Sequence, residues 1–286
     1  MSRVYEPLFA LWLCFLGLAV GSFLNVVIAR VPRGESIVRP RSKCPRCGAA
    51  LSWYDNVPVF SWVWLRARCR SCRAPISWRY PMVEVLTLGL FVAAWWRFDW
   101  TWELARALVL ITLLVPLTFI DLEHWLLPFV LTLPGIALGL LSSLPLGWEG
   151  VWPALAGASL GFSSFWAMEW LGQKIFRKEA LGGGDKFLLA LIGAFETHRS
   201  LLVVIFLASL QGAVVGLLLL ALRGRAGPAP AAPTEPGAAS DDDWVPGPTN
   251  IPFGPWLALA AMEFMFLAPT LGRALPAPLG SLWGVP

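Results

Sequence analysis

Histidine is nearly absent from this 286-residue chain, which has two, and charged residues make up only 14% of it. With no HExxH pair and no nucleophile elbow, neither zinc hydrolysis of that kind nor a Ser/His/Asp relay has a footing. A GxGxxG fingerprint is also lacking, and "GGGDK" at 182–186 does not have the GxxxxGK[ST] spacing of a phosphate-binding loop. No internal repeat is evident. So little charge beside 57% apolar residues and 17 Trp excludes an ordinary soluble domain.

Apolar sequence in long runs takes the place of charge. A helix that crosses a bilayer needs roughly 17–25 such residues. Segments near 8–29, 81–97, 102–120, 128–145, 152–173, 186–197, 200–222 and 253–271 fit, eight in all, the sixth of them short. They are continuously apolar rather than alternating, which predicts helices and not barrel strands. The expected fold class is an all-α polytopic membrane protein with about eight transmembrane helices and a small cytoplasmic zinc-binding subdomain between the first two. Its expected parts are a first helix over 1–29, the subdomain over 30–80, a transmembrane core over 81–222, a Pro/Ala/Gly-rich disordered linker over 223–250, and a last helix with a tail over 251–286.

Orientation follows from basic residues, which cytoplasmic loops retain. Eleven of them lie between Arg30 and Arg79, against two acids, Glu35 and Asp55. That loop is therefore expected in the cytoplasm and the N-terminus outside. Lys174, Arg177, Lys178, Lys186, Arg223 and Arg225 fall inside by the same phase. So basic a following segment also argues for a first span rather than a cleaved signal peptide. Orientation accounts for the positive charge, and no nucleic-acid partner is expected.

Four of the five cysteines form "CPRC" at 44–47 and "CRSC" at 69–72, two knuckles separated by 21 residues. This spacing suits a tetrahedral zinc ion held by Cys44, Cys47, Cys69 and Cys72, with no position open for water, hence a structural Zn2+. A disulfide framework is the alternative, disfavoured on the reducing cytoplasmic side. Cys14, inside the first span, reads as a small buried apolar residue.

Ionisable groups in or at the edge of membrane helices are functional candidates by default. Asp121 closes the third span in "LTFIDLEHWLLP" and Asp185 opens the sixth in "LGGGDKFLLALIGAF". The topology brings both to the cytoplasmic face despite 63 intervening residues. Asp185 also suits a helix cap. Asp121 lies at the unfavourable end of its helix dipole, so a proton shared by the two is expected to favour Asp121. Paired carboxylates are the equipment of aspartyl proteolysis, and flanking glycines let a substrate backbone come close. Paired acids also serve ion-coupled transport, although such sites lie near the bilayer midplane.

Several motifs in one order carry a resemblance: "GSFLNVVIARVP" (21–32), the paired knuckles with "NVPVFSWVWL" (56–65), "ISWRYPMVEVLT" (76–87), "FIDLEHWLLPFVLTLPG" (119–135), the GxGD element at 182–185, and "IPFGPWLALAA" (251–261). Nearly end to end, the chain resembles the type IV prepilin leader peptidases of the bacterial inner membrane. The resemblance implies that Asp121 and Asp185 are the catalytic aspartates. It implies cleavage of prepilins and pseudopilins after a leader glycine at the cytoplasmic face, then methyl transfer from S-adenosylmethionine to the new N-terminus, commonly Phe. The knuckle subdomain is linked to that second step, with no S-adenosylmethionine contact assigned. Glu84 in "YPMVE" is either a participant or an ordinary acid at a helix start. Two departures stand out: the family usually has Lys two residues after the GxGD aspartate, where this chain has Phe187 with Lys186 before it, and Glu123 replaces the second acid of an Asp-x-Asp pattern. A general GxGD intramembrane protease is the alternative within the same chemistry, but it gives no reason for the knuckles.

Overall fold

The computed structural model describes residues 5–176, 182–223 and 251–274. The linker expected over 223–250 lies outside the described residues except for Arg223, as do Arg177, Lys178 and the tail beyond 274. Among the described residues, every element longer than an isolated β-bridge is helical. In chain order they are α1 (Tyr5–Arg30), α2 (Phe60–Trp64), α3 (Arg79–Phe98), α4 (Trp102–His124), α5 (Phe129–Ser143), α6 (Trp148–Phe176), α7 (Asp185–Glu196), α8 (His198–Arg223) and α9 (Gly254–Ala274).

Among the described residues, five segments are long and apolar enough to cross a membrane: Pro7–Arg33, Arg79–Phe98, Trp102–His124, Phe129–Leu146 and His198–Leu222. The three other expected spans fall in α6, α7 and α9. The expectation for the sixth needs correcting. Its 12 residues rise only about 18 Å at 1.5 Å per residue, well short of a hydrocarbon core of about 30 Å. Periodicity could not separate this helix from a span, because residues 188–195 are all buried and so all are apolar or Gly. Outward faces elsewhere stay apolar, with Leu11, Phe15, Trp166, Phe206 and Leu217 exposed, as lipid-facing surface requires.

Small residues set the closest helix contacts, as is usual where lipid offers no competing hydrophobic drive. Helices α1 and α3 run antiparallel, and a Cβ on Gly17 would lie 2.8 Å from Leu88 Cα and one on Gly21 2.7 Å from Glu84 Cα. The α6/α7 seam is tighter. A Cβ on Gly157 would come within 2.1 Å of the Gly193 carbonyl oxygen, and one on Gly161 within 2.6 Å of that of Leu189. Arg106 on α4 holds the far end of α7, donating to the Phe195 carbonyl at 2.6 Å, a cation on the carbonyls of a helix C-terminus.

Candidate active site and metal centre

Asp121 sits in the last turn of α4, which ends because Trp125 turns left-handed (φ 55°) and returns its N–H to the Asp121 carbonyl at 2.9 Å. Asp185 is the first residue of α7. The cap position is Gly184, so Asp185 lies one residue inside the helix rather than capping it. Both aspartates are buried, 5% and 6% exposed, and both helices contribute to the apolar core, with Ile120 beside Asp121 and Leu188 and Leu189 beyond Asp185 fully buried.

The two carboxylates are within electrostatic reach of each other. Leu127 connects their surroundings. A Cβ on Gly184 would meet Leu127 Cβ at 2.7 Å, and one on Gly254 would meet Leu127 Cδ1 at 3.4 Å and Asp121 Oδ2 at 2.5 Å. Gly254 begins α9, and its N–H donates to Asp121 Oδ2 at 3.1 Å. On the other side, Gly182 lies against the Asp185 carboxylate, where an added Cβ would sit 3.3 Å from Oδ2. Each aspartate therefore has a glycine beside its carboxylate, at or shortly before a helix start. The start of α9 at Gly254 thus brings a helix N-terminus to Asp121, opposite in sign to the C-terminal end of α4 on which Asp121 sits.

The three residues that depart from the family pattern, Lys186, Phe187 and Glu123, each have contacts that the sequence did not assign. Lys186 donates to Glu169 on α6 at 2.6 Å and ties the first turn of α7 to its neighbour. Phe187 fills an aromatic site, edge-on to Phe129 (centroids 4.9 Å) and Phe162 (5.3 Å). The exchanged order of Lys and Phe after Asp185 thus has a use for each. Glu123 takes both of its hydrogen bonds, at 2.5 Å, from Arg79 at the start of α3. The "FIDLEHWLLP", GxGD and "IPFG" motifs marked this region in the sequence, and none of them said that Gly254 would reach Asp121.

The cysteine knuckles have one hydrogen-bond pattern built twice. Cys44 N–H donates to the Ala49 carbonyl at 2.9 Å, and Cys69 N–H to that of Ala74 at 2.8 Å. The residue after each second cysteine is left-handed, Gly48 in one knuckle (φ 71°) and Arg73 in the other (φ 60°). The four Sγ atoms lie within 4.8 Å of one another. Cys44 and Cys72 are 3.8 Å apart at sulfur, matching the edge of about 3.8 Å expected for tetrahedral Zn–S bonds of about 2.3 Å. Backbone N–H groups of Cys47 and Arg46 pull the Cys44 thiol down to about 6. The Ala74 N–H pulls Cys72 down too, but desolvation and the sulfurs of Cys47, Cys69 and Cys44 push it up to about 11. Four sulfurs this close cannot all be thiolates without a cation, and the donor set fits a soft tetrahedral metal.

Residues 15–98 match the family described as the bacterial Peptidase A24 N-terminal domain, and residues 108–217 match the type IV leader peptidase family. The prepilin leader peptidase/N-methyltransferase of Myxococcus xanthus is 51% identical over 98% of this chain and 96% of its own length. Proteins of the same name from Xanthomonas campestris and Aeromonas hydrophila are each 38% identical, over 88% and 87% of this chain and 88% and 89% of their own lengths. No solved structure matches the chain.

Proposed function

The chain belongs to the type IV leader peptidase family, and on that premise we propose that it removes the leader of type IV prepilins and pseudopilins after a glycine, using Asp121 and Asp185, and then methylates the new N-terminus. The observation that carries the peptidase reading is the meeting of two buried carboxylates at the ends of α4 and α7, each beside a glycine. The pair shares one proton. One carboxylate takes a proton from water as it attacks the scissile carbonyl, and the other gives a proton to the departing amine. The glycines leave room for a substrate backbone, and burial excludes bulk water from the reacting groups.

In this reading the protein lies in the bacterial inner membrane with its N-terminus outside and the knuckle subdomain in the cytoplasm. The α6 and α9 helices join the five long apolar helices in the bilayer, and α7 is enclosed among them. Cys44, Cys47, Cys69 and Cys72 hold a structural Zn2+ that organises residues 31–78. S-adenosylmethionine supplies the methyl group. A prepilin has a short basic leader followed by an apolar helix, so its scissile bond falls at the membrane edge, the level of Asp121 and Asp185.

The test is to incubate purified protein with a prepilin and S-adenosylmethionine and read the product mass. A leader-free, methylated product is expected, and Asp121→Asn or Asp185→Asn should each lower cleavage roughly 10³-fold or more. Full cleavage by either variant would remove that residue from the mechanism. Cleavage inside the apolar helix, with no methyl added, would favour the general intramembrane protease.

A further inference from the structure

Near the knuckle subdomain, the α1/α3 seam holds a second polar site. Asn25 is 3% exposed. Its Nδ2 donates to the carbonyl of Tyr80 at 3.0 Å and to that of Gly21 at 3.3 Å. Both partners are carbonyl oxygens, which sets the orientation of the amide and leaves Oδ1 as an acceptor. That Oδ1 is buried and has no partner among the described residues. An unmet buried acceptor is destabilising, so its retention points to a donor that arrives from outside the fold.

One helical turn along the same seam lies Glu84, 7% exposed. It accepts the N–H of Val59 at 2.7 Å, and it is in none of the ion pairs among the described residues. Val59 lies in "NVPVF" between the knuckles, with φ 57° and ψ −50°, strained for a β-branched residue. Strain of this kind persists where surrounding contacts over-determine it, typically at functional sites. Asn25 and Glu84 thus present a neutral and an anionic acceptor, the complement of a group that has only N–H donors and carries positive charge. A primary ammonium has that chemistry. The seam also adjoins the peptidase site: Arg79, where α3 starts, grips Glu123, two residues beyond Asp121.

We infer that Asn25 Oδ1 and Glu84 receive the α-ammonium released by leader cleavage and prepare it for methylation. This rests on the methyltransferase reading proposed above. The ammonium gives one proton to the Glu84 carboxylate. The freed nitrogen lone pair then forms a bond to the methyl carbon of the sulfonium donor, as the carbon–sulfur bond breaks and leaves its electrons on sulfur as a thioether. The product is an N-methylammonium, and Glu84 returns its proton to water.

The readout is the methylated fraction of the cleaved product, which normalises for folding and for cleavage. Glu84→Gln keeps the shape and an acceptor but cannot take the proton. Its methylated fraction at pH 7 should fall about tenfold or more, and should recover toward wild type near pH 9, where an α-amine of pKa about 8 is already neutral. A second measurement omits the methyl donor. The enzyme should bind a synthetic mature pilin peptide with a free α-amine more tightly than its N-acetylated form, and Glu84→Gln and Asn25→Leu should each lose that preference. A Glu84→Gln fraction equal to wild type at pH 7, a loss that persists unchanged at pH 9, or equal binding of the two peptides by the wild-type enzyme would overturn the inference. Failure of the wild-type enzyme to methylate at all would instead sink the methyltransferase reading on which it rests.

Discussion

The N–H of Gly254, where α9 begins, donates to Oδ2 of Asp121, where α4 ends, at 3.1 Å across 133 residues of sequence. This contact gives Asp121 the helix N-terminus that its own helix does not offer, and it leaves no room for a side chain at 254. Gly254→Ala would put a methyl group 2.5 Å from the carboxylate oxygen. Either Asp121 or α9 must move, at a cost of about 1–3 kcal/mol, and prepilin cleavage should drop by about tenfold for each 1.4 kcal/mol that falls on the transition state. An unchanged cleavage rate would show that the active geometry does not depend on this contact.

The α6/α7 seam is where backbone meets backbone. Gly157→Ala should lower the thermal unfolding midpoint in detergent, with a loss of about 1–3 kcal/mol or more, because the added Cβ would lie 2.1 Å from a carbonyl oxygen that cannot swing aside. Cleavage should fall with it, since α7 carries Asp185. Gly89→Ala and Gly216→Ala are the controls, with no described residue within 4 Å of the added Cβ, and both should unfold near the wild-type temperature.

Lys186 and Glu169 pair at 2.6 Å while each is about one-fifth exposed, so the pair contributes about 1 kcal/mol or less to stability. Its larger effect should be on the placement of Asp185. Lys186→Glu sets like charges beside Glu169 and Asp185 and should lower cleavage several-fold. Adding Glu169→Lys restores an attractive pair, and partial recovery in the double variant is the expected sign of direct coupling. Additive losses would mean that the two residues act independently.

The knuckles should hold one zinc per chain, measured by elemental analysis of the purified protein. Cys44→Ser or Cys69→Ser should each reduce that content well below one, because a tetrahedral site missing a thiolate binds zinc much more weakly. Hydrogen exchange should then rise across residues 42–76, where the backbone bonds of the two knuckles lie. Methylation should suffer more than cleavage, since the turn that contacts Glu84 lies between the knuckles and the aspartates do not.

Single residues show what could be read in advance. The C-x2-C spacing pointed to four sulfurs around one metal because ligand geometry constrains short sequence intervals. Asp121 stood out because an acid at the C-terminal end of an apolar helix has little local reason to be there. Leu127 and Gly254 could not be found this way, since a leucine and a glycine in apolar sequence carry no chemical signal until a distant carboxylate arrives beside them. Helix α7 was misread as a span because total burial in protein and immersion in lipid select the same residues. Phe187 was legible only as a departure from the expected pattern, and its packing against Phe129 and Phe162 depends on where α5 and α6 lie.

Composition and local pattern were enough to determine an all-helical membrane protein, a four-cysteine cluster and two carboxylates of interest. These follow from forces that act within a few residues: apolar transfer, backbone hydrogen bonding within a helix, and ligand spacing. Tertiary structure decided which helix is enclosed, which glycines face the aspartates, and that Asn25 and Glu84 share a seam. Those relations join residues tens to more than a hundred positions apart, where only the packing of whole helices sets which side chains meet.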